Sequence, residues 1–483
     1  MKILNDNFER YLSDESNIKS RNIESVYIPD NDMEISELLA KETPITVFAG
    51  GTGIAAGATA DEGSVISMEK FQFLHIEPEL CEVSVGAGVS LRDLNNALAQ
   101  NGLWYPADST EQSATIGGNA ATCAWGTRSY KYGSIRNYIN AVHVIIPGAG
   151  NIRISRGENI TAGYLFSGDI NTGGKTISLS ARNQAGVKLA DTVAGFPKKN
   201  SAGYYMKKDM DIIDLLIGSE GTLGIITMLE LTVPKIPYDI TAFMGYFNCT
   251  GEAFDFIEKV KSVKGEFMPC SIEFMDSESL KILKEDSFKV KEADAAVFLE
   301  IETPGVEDPD GVVEFASELF KTSGIGGEDV IVSSTKDKKD YIYSIREGLP
   351  NGINKRVRAA GMKKLSTDFS VNNGREGELL EIYNEMRGRA GIKSVLFGHA
   401  GDNNLHLNFI PGSDEEYARA RVIYEEACRK VGTIGGTIAA EHGVGKLKKG
   451  LLKYMYGPEI LSAMGAVREK FDPGYLLNRG NVI

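Results

Sequence analysis

Three of the five histidines in this 483-residue chain fall in two short segments near its C-terminus. His399 and His406 lie in Gly398-His399-Ala400-Gly401-Asp402-Asn403-Asn404-Leu405-His406, and His442 lies in Ala440-Glu441-His442-Gly443. Both segments read as parts of one metal site. Two imidazoles and a carboxylate suffice to hold a divalent ion and leave coordination positions open for a substrate.

The rest of the chain must position such an ion. At 483 residues it is too long for one core, so two or three domains are expected. With 42% hydrophobic and 24% charged residues, the chain has the material for a full core and the surface of a soluble globular protein. A formal net charge of −14 argues against nonspecific binding to nucleic acid or to an anionic membrane surface. It leaves room for a local basic patch around an anionic substrate. Cys81, Cys123, Cys249, Cys270 and Cys428 are scattered and never spaced as a ligand pair, so neither a disulfide framework nor an iron–sulfur cluster is expected. The N-terminus turns polar at once, and no apolar run reaches membrane-spanning length. The expectation is a cytoplasmic homo-oligomer, peripheral to a membrane only through a partner.

Periodicity places the elements. Residues 1–45 predict helix, turn and helix, ending in Ile35-Ser36-Glu37-Leu38-Leu39-Ala40. Strands are predicted at Pro44–Ala49, Val65–Met68, Cys81–Val85 and Ala141–Ile146, and a helix capped by Ser90 over Leu91–Leu98. Residues 148–198 are rich in Gly, Ser, Thr and Asn and read as an insertion of strands and loops. Asp214–Thr227 alternates apolar and small residues around a turn. Pro234 and Pro237 mark a boundary, beyond which strands such as Ala295–Ile301 alternate with amphipathic helices such as Gly311–Thr322. The last 45 or so residues read as mostly helix.

Three glycine-rich stretches punctuate the first half. Gly50-Gly51-Thr52-Gly53-Ile54 follows a strand directly, and missing side chains let backbone N–H groups approach a diphosphate. It fits neither the nucleotide triphosphatase loop nor the dinucleotide fingerprint, and alone it reads as a turn between strands. Thr115-Ile116-Gly117-Gly118-Asn119-Ala120-Ala121, after Tyr105-Pro106-Ala107-Asp108, lets a large flat ligand lie against backbone. Gly218-Ser219-Glu220-Gly221-Thr222-Leu223-Gly224-Ile225-Ile226 is a third stretch of this kind.

In this order the three stretches resemble the FAD-binding domain of the vanillyl-alcohol oxidase/para-cresol methylhydroxylase superfamily. The two C-terminal segments resemble its branch of flavin-dependent D-2-hydroxyacid dehydrogenases, which includes D-lactate dehydrogenase, the glycolate oxidase catalytic subunit and D-2-hydroxyglutarate dehydrogenase. The resemblance implies an α+β protein. A two-subdomain FAD-binding domain would span 1–236, an α+β substrate (cap) domain with an antiparallel sheet 237–436, and a C-terminal helical segment returning to the flavin 437–483. It implies that Gly50, Gly51, Thr52, Gly53, Ile54, Pro106, Asp108, Thr115, Gly117, Gly118 and Ala121 hold the FAD diphosphate and ribityl chain. Glu220, Gly224 and Ile226 would border the adenine end, and Asn478 the flavin ring. His399, His406 and Glu441 would hold the metal (zinc, manganese or iron), and His442 would take the substrate hydroxyl proton while a hydride moves to flavin N5. Arg346 aligns with the family's substrate arginine, whose planar fork suits a carboxylate.

Two departures stand out. Asn403 replaces the second glycine of the family's Gly-His-x-Gly-Asp-Gly-Asn-Leu-His motif, and asparagine tolerates the left-handed backbone such a turn needs. The family's substrate lysine falls at Ser366, two residues before Asp368, which leaves Lys364 as the nearest replacement. After the turn, Leu405, Leu407 and Phe409 fall on one strand face and His406 and Asn408 on the other, so His406 points away from an apolar face. No histidine lies in the first glycine loop, so FAD is expected to be noncovalent. His75 and His143 read as structural, Trp104 and Tyr105 as packing residues, and Lys446-Leu447-Lys448-Lys449 as a solvated helix face. The implied electron acceptors are an electron-transfer flavoprotein or an iron–sulfur partner subunit, with a quinone or oxygen as other routes. The alternatives are an alkyl-dihydroxyacetone-phosphate synthase-like enzyme without net redox chemistry, suggested by His442–Leu447 and the Asn478–Asn481 tail, and a flavin subunit of an electron-transfer complex.

Overall fold

The computed structural model describes all residues except 161–165, 172–175, 182–194, 208 and 304–309, and for 166–171 and 176–181 it describes backbone alone. The chain divides into two compact units. The first comprises Met1–Gly126, Ser134–Lys235 and Thr437–Ile483, and the second Thr127–Gly133 and Ile236–Gly436. The short segment Thr127–Gly133, expected within the first domain, thus belongs with the second.

The first unit is built on two sheets. One runs in the order Lys2–Leu4, Ile23–Ile28, Gly63–Ser67, Ile45–Phe48, its last three strands parallel. The other is antiparallel, in the order Leu74–Glu77, Glu82–Gly86, Ile225–Thr232, Ile139–Ile146, Gly150–Ser155. Ile35, Leu38, Ile45, Ile66, Ile145 and Ile225 form one core cluster, so the helix Asp32–Leu39 buries its apolar stripe between elements far apart in sequence. Ser90 caps the helix Leu91–Gln100 by accepting from Asp93 N–H at 3.1 Å.

The expected first helix of residues 1–45 is absent. Ile23–Ile28 is a strand whose Val26 and Ile28 are buried. Its register comes from parallel pairing with Gly63–Ser67, a distant partner that no local period reveals. The C-terminal stretch holds one α-helix, Pro458–Phe471, and a 3₁₀ segment, Lys449–Tyr454; Gly443 and Gly445 adopt left-handed backbone and keep the chain before them out of a helix. The lysine run there is no α-helix and only partly solvated, with Leu447 and Lys449 exposed. Lys446 donates to Arg479 O at 2.7 Å and Asn481 Oδ1 at 2.9 Å, and Lys448 is buried. Of the 148–198 insertion, the strands Gly150–Ser155, Phe166–Asn171 and Thr176–Ala181 are described, the last two paired as an antiparallel hairpin; much of the remainder lies outside the described residues. His75 sits exposed in an edge strand, and His143 faces Glu230 Oε1 at 3.0 Å. Tyr105 is buried edge-to-face against Tyr138.

The second unit is a seven-stranded antiparallel sheet. Its order is Val330–Val332, Asp239–Phe247, Ala295–Thr303, Pro269–Asp276, Ser394–His399, Asn404–Phe409, Leu365–Ser366. The 24-residue helix Lys336–Ala359 presents Ile342, Ile345, Leu349 and Ile353, a 3–4 spaced stripe, to a sheet face carrying Met244, Met275, Ala296 and Phe298. The registers put Glu273 opposite Phe298, Ser271 opposite Glu300 and Met275 opposite Phe397. One sheet face is therefore apolar beneath the helix and becomes polar along the same strands. That change of character places the chemistry of this unit.

Candidate active site

In the first unit, the three glycine stretches meet around one cleft of about 980 Å³, open to solvent. Strand Ile45–Phe48 delivers Gly50, Gly51, Thr52 and Gly53 to its wall. The helix Ile116–Thr122 contributes Gly117, Gly118 and Ala121, with Thr115 as its N-cap. A Cβ on Gly117 would lie 2.5 Å from Ala87 Cβ, so this helix reaches its neighbouring strand only because that residue is glycine. Glu220, Gly224 and Ile226 line the cleft from the third stretch, and His442, Asn478 and Asn481 from the C-terminal segment. Ile54, Pro106 and Asp108 lie off the cleft wall. Pro106 is buried, and Asp108 Oδ1 accepts from Gln112 Nε2 at 2.8 Å.

Asn478 joins three segments. Its Oδ1 accepts from Val47 N–H and its Nδ2 donates to Glu220 O, both at 2.7 Å. Glu220 and His442 are the only ionisable side chains lining the cleft among the described residues. Glu220 points its carboxylate at backbone amides, accepting from Val444 N–H at 2.6 Å and Gly445 N–H at 2.7 Å. Burial pushes its pKa up, and those two hydrogen bonds oppose the rise. The cleft therefore offers an anionic ligand backbone N–H groups and hydroxyls rather than cations. This long concave surface of small residues fits the flat rings and diphosphate of FAD.

Glu441 stands between Lys199 and His442. Lys199 Nζ lies 2.6 Å from its Oε2, with both side chains nearly inaccessible, and His442 Nε2 lies 3.2 Å from its Oε1. In the sequence Lys199 carries no signal beyond being the second of two adjacent lysines where the insertion ends.

In the second unit, the hairpin Ser394–His399/Asn404–Phe409 pairs Phe397 with His406 and His399 with Asn404. His399 and His406 are diagonal neighbours on one face, their rings 5.7 Å apart and nearly perpendicular. Gly398 makes room for this, since a Cβ there would meet His406 Cδ2 at 2.8 Å. The hairpin turn passes through Asn403 in left-handed backbone, φ 52° and ψ 32°, as its residue type allows. Its side chain accepts from Lys261 Nζ at 2.8 Å and donates to Val371 O at 3.1 Å and Asn373 Oδ1 at 2.9 Å. Leu405, Leu407 and Phe409 do share a face, but the opposite face carrying Asn404, His406 and Asn408 is also buried.

His406 Nδ1 lies 3.0 Å from Thr367 O. A backbone carbonyl there favours the tautomer with the proton on Nδ1 and the lone pair on Nε2, the usual support for a metal-ligating histidine. His399 Nδ1 lies 3.3 Å from Glu273 Oε1, which likewise directs Nε2 outward. Asp368, buried, offers a carboxylate oxygen within 4.8 Å of a His406 ring nitrogen. From sequence it served only to locate a missing lysine. This donor set of imidazole and carboxylate suits a divalent ion.

Arg346 does not stand free. Its Nε and Nη2 donate to the two Glu273 oxygens, each at 2.9 Å. Alongside, Arg128 forms a second bidentate pair with the buried Glu300, at 3.0 and 2.7 Å. Nothing in the sequence pairs residues 172 positions apart; each ion pair joins a carboxylate on a sheet strand to an arginine outside the sheet. Lys364 is half-buried in the irregular stretch before Leu365–Ser366, and burial alone draws its pKa down to about 8.

Family profiles match both halves of the chain. The family profile described as "FAD binding domain" matches residues 24–155, and "FAD linked oxidases, C-terminal domain" matches 244–482. A D-lactate dehydrogenase of Anaerostipes hadrus is 30% identical, over 91% of this chain and 84% of its own. A D-lactate dehydrogenase of Archaeoglobus fulgidus is 28% identical over 94% and 90%, and the glycolate oxidase subunit GlcD of Bacillus subtilis 27% over 95% and 88%. A solved alkyldihydroxyacetonephosphate synthase superposes with a TM-score of 0.66 over 99% of this chain and 81% of its own, at 16% identity, which speaks for the fold alone. With its flavin cleft and its match to these relatives, the chain belongs to the FAD-linked oxidases of the vanillyl-alcohol oxidase/para-cresol methylhydroxylase superfamily, alongside D-lactate dehydrogenase and glycolate oxidase subunit GlcD.

Proposed function

We propose that this chain oxidises a D-2-hydroxyacid to the 2-oxoacid as an FAD-dependent dehydrogenase acting on a CH–OH donor. The observation that carries the reading is the placement of His442 on the wall of the same cleft that the three glycine stretches line. Relatives named D-lactate dehydrogenase, glycolate oxidase subunit and D-2-hydroxyglutarate dehydrogenase support it, and support the alternative without net redox chemistry less.

Bound noncovalently, FAD supplies a hydride acceptor, and a divalent ion (zinc, manganese or iron) held by His399, His406 and Glu441 supplies a Lewis acid. The residues of the chain do the rest. His442 accepts the substrate hydroxyl proton on an imidazole nitrogen, acting as general base. Arg346 keeps Nη1 for the substrate carboxylate while Glu273 holds its other edge. Lys364, with its ammonium partly desolvated, is a second contact for the acid. In the cleft, Gly50, Gly51, Thr52, Gly53, Thr115, Gly117, Gly118 and Ala121 present backbone to the cofactor, and Asn478 fixes the wall near its ring. The five cysteines are all free thiols, and the electrons pass to a separate acceptor such as an electron-transfer flavoprotein or an iron–sulfur subunit.

The test is anaerobic bleaching of the bound flavin by a panel of D- and L-2-hydroxyacids, with metal analysis of the same sample. D-lactate, glycolate or D-2-hydroxyglutarate should bleach it. If none of the panel does, the reading fails.

A further inference from the structure

Glu220 belongs to a stretch expected to border the adenine end of the cofactor, yet its carboxylate is spent elsewhere. Both oxygens are taken by consecutive backbone donors, Oε1 by Val444 N–H at 2.6 Å and Oε2 by Gly445 N–H at 2.7 Å. Those residues begin two positions after His442. The side chain is 6% exposed, so it has little surface left to offer a nucleotide.

The turn it holds is under-determined without it. Gly443 has φ +72° and Gly445 φ +51°, a left-handed backbone with weak intrinsic preference. Gly443 is also packed on Glu220: a Cβ there would lie 2.8 Å from Glu220 Oε1. The far side of the turn is anchored on the first glycine loop, where Ala55 O accepts from Lys446 N–H at 3.0 Å. The carboxylate is itself seated from behind. Glu220 has φ +52°, and its backbone O accepts from Asn478 Nδ2, whose Oδ1 is bound to Val47 N–H. A carboxylate is a strong acceptor for two amides that point the same way, and burial removes competing water.

We propose that Glu220 is a positioning residue for His442, clamping the Gly443–Gly445 turn so that the imidazole stays aimed along the cofactor cleft. The assignment rests on the reading of His442 as the base given above. Glu220 acts through the backbone and touches neither substrate nor reacting atoms. An amide cannot replace it, because one of its two polar atoms is a donor and would face a backbone N–H.

The experiment compares Glu220→Gln and Glu220→Asp with the wild-type holoenzyme. Hydrogen exchange at Val444 and Gly445 should speed up about 10-fold or more in Glu220→Gln, the loss of one charge-assisted hydrogen bond. Flavin reduction at saturating substrate should fall at least about 10-fold with the half-saturating concentration little changed, since the defect lies in the turn and not in substrate binding. FAD content should remain at wild-type level, and Glu220→Asp should recover part of both effects. Gly443→Ala, which intrudes on the carboxylate from the other side, should reproduce the pattern. Wild-type exchange at those two amides in Glu220→Gln overturns the proposal, as does loss of FAD with unchanged exchange, which would mean a cofactor contact. His442→Ala is run in parallel: undiminished flavin reduction there sinks the reading of His442 itself, a failure separate from that of the clamp, which the exchange data report alone.

Discussion

Glu273, itself buried, receives the partly buried Arg346 guanidinium edge-on, Nε to Oε2 and Nη2 to Oε1, both at 2.9 Å. The pair joins the middle of the seven-stranded sheet to the helix that crosses it. Because Glu273 Oε1 also lies 3.3 Å from His399 Nδ1, one carboxylate orients the proposed substrate arginine and a proposed metal ligand together.

This pair predicts a response to acid. Burial disfavours the Glu273 anion, but Arg346 and His399 outweigh it and hold its pKa down to about 2, against an ordinary 4.5. A depressed carboxylate pKa stabilises the fold above the unfolded value, and that contribution disappears as pH falls through the folded one. Glu273→Gln should therefore cost about 3 kcal/mol near neutral pH, where it strands a largely buried guanidinium. The gap between variant and wild type should narrow from pH 4.5 down toward 2. Urea unfolding of the two proteins across this range measures it; a gap that does not change with pH contradicts the assignment.

Arg346→Lys retains the charge and loses the fork. A single ammonium cannot serve two Glu273 oxygens and a substrate carboxylate in the same planar geometry. The half-saturating hydroxyacid concentration should rise about 10- to 100-fold, the scale of one charge-assisted hydrogen bond, with the flavin spectrum unchanged. Stopped-flow reduction at varied substrate gives the answer, and an unaltered concentration dependence would remove Arg346 from the substrate site.

Glu441→Gln should lose the metal and flavin reduction while retaining FAD. It also leaves Lys199, 1% exposed, without its carboxylate 2.6 Å away, so the variant should be less stable than wild type. Adding Lys199→Met removes the stranded ammonium and should restore stability but not metal. Metal analysis, flavin absorbance and melting temperature on the three proteins separate a ligand from a purely structural ion pair. Full metal content in the single variant would sink the ligand role.

Asn403→Gly should be nearly neutral for the turn, because glycine adopts φ 52° without strain, and should forfeit only the side-chain links to Lys261, Val371 and Asn373. Asn403→Ala loses the same links and adds the strain of a left-handed alanine, roughly 1 kcal/mol more. The order of melting temperatures, wild type above Gly above Ala, is the readout. Alanine at or above glycine would show that the turn makes no left-handed demand.

Much of this protein was legible in its sequence because local chemistry wrote it there. Glycine where a helix must touch Ala87, asparagine at a left-handed turn, alternation along Asn404–Phe409 and the Ser90 cap all follow from neighbours a few residues away. The same signals carried the flavin cleft, since stretches without side chains are visible as composition. Where the local signal is weak, the expectation fails: the helix, turn and helix expected of residues 1–45 give way at Ile23–Ile28 to a strand whose pairing partner is some forty residues on, and within the lysine run Lys446 finds its acceptors in the C-terminal tail. Tertiary structure alone decided the charge pairing. Glu273 with Arg346, Glu300 with Arg128, Lys199 with Glu441, and Glu220 with the Val444 and Gly445 amides each join residues 73 to 242 positions apart by the packing of elements and the convergence of loops. A sequence names the charges it has to bury; only the closed chain determines which of them meet, because the cost of an unpaired buried charge is settled by whatever lies within a few ångströms, not by what lies next in line.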